Sequence, residues 1–214
     1  MLKRVFGFAA TAAIIIGLPL ATYLNRYNII DWWRLRGYEP SREVSQLSDT
    51  TTMTSYAQRL FYVHKPELDD KETFTDRCKG SEKTIVLGCY KRQEGIYILL
   101  VNDVRLAGAM EVTAAHEMLH AAYDRMGSSE KDQVNQLLIE TREKLTSDRI
   151  KTTLQGYEDR DPESIYTEMH SIFGTELRNL SPKLEEHYAK YFTDRTSVVA
   201  ISEKYEQVFV DIRS

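Results

Sequence analysis

The sequence predicts an α+β protein in which a small antiparallel or mixed sheet precedes a helical half, behind an N-terminal transmembrane helix. Three observations predict it. Residues 5–23 carry no charge. Short apolar runs rich in β-branched and aromatic residues recur between residues 60 and 101. From about Met110 the apolar residues take up a helical period almost to the end of the chain.

The N-terminal element comes first. Val5 to Tyr23 follow Lys3 and Arg4, and at about 1.5 Å per residue they span roughly 28 Å, the thickness of a bilayer core. Leu18-Pro19-Leu20-Ala21 is a poor cleavage site, so the run reads as an uncleaved anchor rather than a signal peptide. Lys3 and Arg4 place the N-terminus in the cytoplasm, against the pull of Arg26, Arg34 and Arg36 on the other side. The expected organisation is an anchor over 1–24, a membrane-proximal segment over 25–45, and one domain over 46–214 outside the cytoplasm of a single-pass membrane protein. Trp32 and Trp33, with Tyr23 and Tyr27, read either as an aromatic belt at the membrane surface or as core of the first soluble helix.

Beyond Arg42 the elements follow in order. Ser48 to Leu60 reads as a short helix, and residues 60–64, 84–90 and 95–101 read as strands, the last two joined by the polar turn Lys91-Arg92-Gln93-Glu94-Gly95. Helices are expected over 110–126, stopped by Gly127; over 129–146; near 147–156; over 162–178, opened by Asp161-Pro162; and over 182–211, opened by Ser181-Pro182. Cys78 and Cys89 are the two cysteines and form no CxxC, so a thiolate zinc site is not expected. In an exported domain they would pair, stabilising it by roughly 3 kcal/mol; in a reducing space they would be two thiols.

Composition limits the function. With 28 basic against 32 acidic residues the net charge is −4, which leaves no basic field for nucleic acid. Asn179-Leu180-Ser181 is a glycosylation sequon followed by Pro182 and carries no weight.

One motif carries chemistry: His116-Glu117-Met118-Leu119-His120, inside the expected helix 110–126. Positions four apart on a helix are turned only about 40° from each other, so both imidazoles reach one cation, and Glu117 lies near enough to act on water beside it. Catalytic zinc needs a third protein ligand, and two neutral imidazoles with one carboxylate leave the ion net positive charge to acidify water. Glu163, Glu168, His170, Glu176 and His187 are the downstream candidates. In the helix opened by Pro162, Ile165, Met169, Ile172 and Phe173 make the apolar stripe; Glu168 borders it and Glu163 points away. Glu168 is the preferred ligand. Glu176, on the apolar face itself, is the alternative and would need a buried partner. A surviving oxyanion stabiliser is sought among His170, Tyr166, Tyr157, His187 and Tyr123, with His170 preferred.

His116-Glu117-Met118-Leu119-His120, Asp124 four residues on, and Thr167-Glu168-Met169-His170-Ser171 beginning 47 residues past the second histidine together resemble the gluzincins, the thermolysin-like HExxH zinc metallopeptidases. The wider runs from Val112 to Asp124 and from Glu168 to Glu176 resemble small membrane-anchored bacterial proteins of that kind. These motifs cover under a fifth of the chain. The resemblance implies a zincin-like domain, His116, His120 and Glu168 as zinc ligands, Glu117 as general base, and a peptide or protein substrate. It departs from the thermolysin pattern at Ile172, where an aspartate would orient the first histidine. The strand 95–101 would be the edge along which an extended substrate lies, or else an ordinary internal strand.

The rival expectation is a non-catalytic, membrane-tethered zinc-binding scaffold. It would use the helix 182–211, with Tyr188, Tyr191, Phe192, Val198, Val199, Tyr205 and Val208, as a partner surface. Glu117 discriminates the two, because a purely structural site has no use for that carboxylate.

Overall fold

Helices dominate the chain. The computed structural model describes residue 15 and residues 17–79 and 87–213. The chain divides into two compact units, residues 1–39 and 40–214.

In the first unit, residues 17–24 are helical and α1 runs Arg26–Leu35. Trp32 and Trp33 are both exposed, edge-on to each other at 5.2 Å between ring centroids, so they are not core residues. No described helix is long and apolar enough to cross a membrane. That overturns the expected transmembrane helix and, with it, the single-pass membrane protein with an extracytoplasmic domain. Residues 1–14 and 16, which hold most of the apolar run 5–23, lie outside the described residues.

The second unit opens with α2 (Arg42–Thr50) and α3 (Ser55–Val63). Ser41 caps the first by accepting from the Val44 amide, and Thr54 caps the second by accepting from the Ala57 amide. The expected helix 48–60 is therefore two helices. The break lies where the Thr54 amide donates to Tyr191 O and the Thr193 amide donates to Thr52 O, both at 2.9 Å, and Thr52 takes a positive φ of 53°. The expected strand 60–64 is the end of α3, whose Ala57, Leu60 and Phe61 are buried at helical spacing.

The sheet has three short strands: β1 (Glu67–Asp69), β2 (Gly88–Lys91) and β3 (Gly95–Leu99), in the order β1-β3-β2. β1 is parallel to β3 and β2 antiparallel to it. Helix α4 (Lys71–Arg77), capped by Asp70, follows β1. The strand expected over 84–90 falls partly on residues 80–86, outside the described residues. β3, expected as the substrate edge, is instead the central strand. The edge is β2.

The helical half comprises α5 (Ala109–Arg125), α6 (Ser128–Glu143), α7 (Asp148–Arg160), α8 (Ile165–Glu176), α9 (Pro182–Tyr188) and α10 (Arg195–Arg213). The expected helix 182–211 is broken over 189–194, the stretch that pairs with Thr52 and Thr54. Arg195 then opens α10 from a buried position, its guanidinium donating to Leu177 O at 2.7 Å and to Glu185, so a fixed cation closes the C-terminal end of α8. The α+β class is thus corrected: the protein is mostly helical, with one small sheet.

Met118 and Leu119 of α5, Met169, Ile172 and Phe173 of α8, and Leu60 and Phe61 of α3 are buried together; each such side chain contributes about 1.5–3 kcal/mol on leaving water. Gly174 lets α8 lie close to α5 and α9, since an added Cβ would sit 2.5 Å from Leu119 Cδ1 and 2.8 Å from Tyr188 Cε1. That approach brings the start of α8 against the middle of α5.

Candidate metal centre

α5 is rich in alanine, and Ala114, Ala115, Ala121 and Ala122 are buried with Met118 and Leu119. His116, Glu117 and His120 therefore fall on the side that lines a cleft of about 440 Å³. The two imidazole rings lie 4.7 Å apart. Across the cleft, the first turn of α8 presents Glu168, which is buried. Its Oε2 lies 3.6 Å from His116 Nε2 and its Oε1 lies 3.7 Å from His120 Nε2. Both distances exceed a hydrogen bond, and Oε2 has no hydrogen-bond partner.

The ligand atoms of His116, His120 and Glu168 all fall within 4.8 Å of one another. Two imidazole nitrogens and a carboxylate oxygen are the donor set of catalytic zinc, and tetrahedral coordination with bonds near 2.1 Å sets donor pairs about 3.4 Å apart. The trio fits such an ion, and the orphaned carboxylate oxygen is a buried group that a cation would satisfy.

The electrostatics agree with a site built for positive charge. Burial favours a neutral His116, but Glu168 and the charges of Glu117 and Glu176 outweigh it and raise its pKa to about 9. Burial lowers His120 to about 4. Burial likewise opposes ionisation of Glu168, yet His120, His116 and the Tyr157 hydroxyl hold its carboxyl below the ordinary range. The positive end of the α8 dipole acts in the same direction.

The other sequence-predicted residues scatter. Glu117 lines the cleft. Glu176 does too, but its carboxylate pairs with Arg149 at 2.8 Å and stands outside the metal-ligating group, so the partner its buried position required is Arg149. His170 is fully buried, its Nε2 2.9 Å from His187 Nε2, and neither histidine lines the cleft. Two residues beyond Glu168, His170 points to another face of α8, which removes it from the oxyanion role. Tyr123 donates to Asn135 at 2.7 Å; of the named tyrosines, Tyr157 lines the cleft. Cys78 and Cys89 are joined as a disulfide, Cα atoms 6.1 Å apart.

Several cleft residues were missed from sequence. Gly88 abuts Glu117, and Tyr90 and Arg92 meet Asp124. A glycine inside a strand run signals close backbone approach, so Gly88 was open to discovery; contacts 32 and 34 residues apart were not.

No family model, curated protein or solved structure matches the chain.

Proposed function

We propose that this protein is a zinc-dependent endopeptidase acting on extended, unstructured peptide segments. The observation that carries the reading is the meeting of His116, His120 and a buried Glu168 with an orphaned oxygen, beside Glu117, in an open cleft. The motif resemblance to the gluzincins points the same way.

Bound to that trio, a zinc ion would supply Lewis acidity toward water and toward a peptide carbonyl. Glu117, on the same helical face, takes the proton from the attacking water and delivers it to the leaving amine nitrogen. Of the tyrosines weighed for the oxyanion, Tyr157 is the one in the cleft, and its hydroxyl, which meets Glu168, is the proposed donor toward the carbonyl oxygen as negative charge develops there. β2 supports the peptide. Leu99 N donates to Leu87 O at 2.8 Å and Cys89 faces Tyr97, so the main-chain groups of Gly88 and Tyr90 point away from β3, without a backbone partner among the described residues, and can pair with an extended chain.

The scaffold alternative loses its proposed surface, because Tyr188, Tyr191, Phe192, Val198 and Val199 are buried in the core. Metal analysis with peptide cleavage tests the reading. One zinc per chain is expected, with cleavage abolished by a chelator and restored by zinc. Glu168→Gln should strip the metal, while Glu176→Gln should leave most of it. Retention of zinc by Glu168→Gln, or cleavage indifferent to chelator, would overturn the assignment.

A further inference from the structure

β2 is only four residues long, yet it is tied down in three directions. Its ladder joins it to β3. Cys89 is bonded to Cys78, at the end of α4. The third tie runs to α5: the Tyr90 hydroxyl donates to Asp124 Oδ2 at 3.0 Å, and Arg92, from the hairpin turn, donates through Nε to Oδ2 at 2.6 Å and through Nη2 to Oδ1 at 2.8 Å. Asp124 is one helical turn beyond His120. At the other end of the strand an added Cβ on Gly88 would collide with Thr113 and lie 2.8 Å from Glu117 Oε1.

We propose that Arg92, Tyr90 and Asp124 form a clamp that fixes the peptide-supporting edge in register with Glu117 and the metal ligands. Arg92 acts as a positioning residue and touches neither metal nor substrate. The inference rests on the peptidase reading.

Stability alone does not account for this clamp. The Arg92 side chain is two-thirds exposed, and exposed ion pairs add little to folding, whereas the two-armed fork fixes direction as well as distance. A short hairpin is marginal by itself, so without a tie to α5 its free edge would drift relative to the helix that carries His116, Glu117 and His120. A peptide hydrogen-bonded to Gly88 and Tyr90 takes its position from that edge, and an edge that must first be ordered weakens binding by the cost of ordering it, leaving the bound register the same. The clamp joins the two surfaces whose relative placement matters: the strand that holds the peptide and the helix that attacks it.

The test uses the full-length, zinc-loaded protein carrying Arg92→Ala or Arg92→Lys. For an unstructured peptide, Arg92→Ala should raise KM about tenfold with kcat within about twofold of wild type, a loss of binding shared by ground and transition states. Arg92→Lys, which keeps the charge and one arm, should recover part of the loss. In a Glu117→Gln background, Arg92→Ala should weaken the Kd of the uncleaved peptide by the same factor. Acetohydroxamate, which chelates zinc without reaching β2, should bind all variants alike. Unchanged KM and Kd in Arg92→Ala would overturn the clamp while leaving the peptidase reading intact, and equal weakening of acetohydroxamate would reduce it to general distortion. A zinc-loaded wild type that neither cleaves nor binds peptide would remove both.

Discussion

Glu206 and Glu176 approach one guanidinium, each 2.8 Å from Arg149. Burial and then the Glu176 charge push Glu206 up to about 7 from an ordinary 4.5. A carboxyl raised in the folded state binds its proton more tightly there than when unfolded. It therefore costs stability progressively as pH rises from about 4.5 through 7, and the full cost is present above that window. Glu206→Gln should remove this dependence: its thermal midpoint relative to wild type should climb between pH 5 and pH 8, as followed by circular dichroism. A difference that stays flat across that range would contradict the raised Glu206 carboxyl. At this scale, the residues visible in the sequence were those that helical geometry places on one face of their own helix. His116, Glu117 and His120 follow from helical geometry alone, and Glu168 from its position beside the apolar stripe of α8. His170 was misread because two residues of helix turn the side chain roughly 200°, into the buried pair with His187. Arg149 and Arg92 were invisible as partners because they reach their carboxylates across 27 and 32 residues of chain.

Elements were legible where local signals agree and obscure where tertiary pairing decides. α5, α6, α7 and α8 emerge near their expected limits, since breakers and apolar period coincide, although α8 starts at Ile165, three residues after the Pro162 expected to open it. Leu60-Phe61-Tyr62-Val63 is a short apolar run that suits strand or helix equally; the Thr54 cap and the packing of Leu60 and Phe61 make it helix. The breaks at 51–54 and 189–194 depend on those two segments bonding each other, which no local pattern announces. β1, three residues long, has too little sequence to show a period. β2 offers an element-scale prediction. Gly88→Ala must move either the strand or Glu117, because neither Thr113 nor Glu117 leaves room for a methyl group. Overpacking of this kind costs about 1–3 kcal/mol, so the midpoint should fall. Zinc content should be retained, since His116, His120 and Glu168 are untouched, while peptide cleavage should drop at least about tenfold as the base is displaced. Cleavage at the wild-type rate would show that β2 does not bear on Glu117.

In the second unit, one mostly helical core serves to bring five distant pieces of chain to one cleft. The Gly174 contact sets α8 against α5, so that Glu168 meets the histidines; the sheet adds the edge strand; and α7 and α10 contribute Tyr157 and Tyr205 to the far wall. The expected sheet-led α+β architecture failed because the run 60–63 ends a helix and the strands that do form are only three to five residues long, whereas the metal trio needed only α5 and α8 in contact. We propose that this cleft hydrolyses peptides through Glu117. The most direct measurement compares cleavage of an unstructured peptide by zinc-loaded wild type and zinc-loaded Glu117→Gln, with metal content and thermal unfolding confirmed equal. A loss of at least about a hundredfold is expected in the variant, the lower end of what a general base contributes. Equal cleavage by the two proteins, or none by either with zinc fully bound, would contradict it.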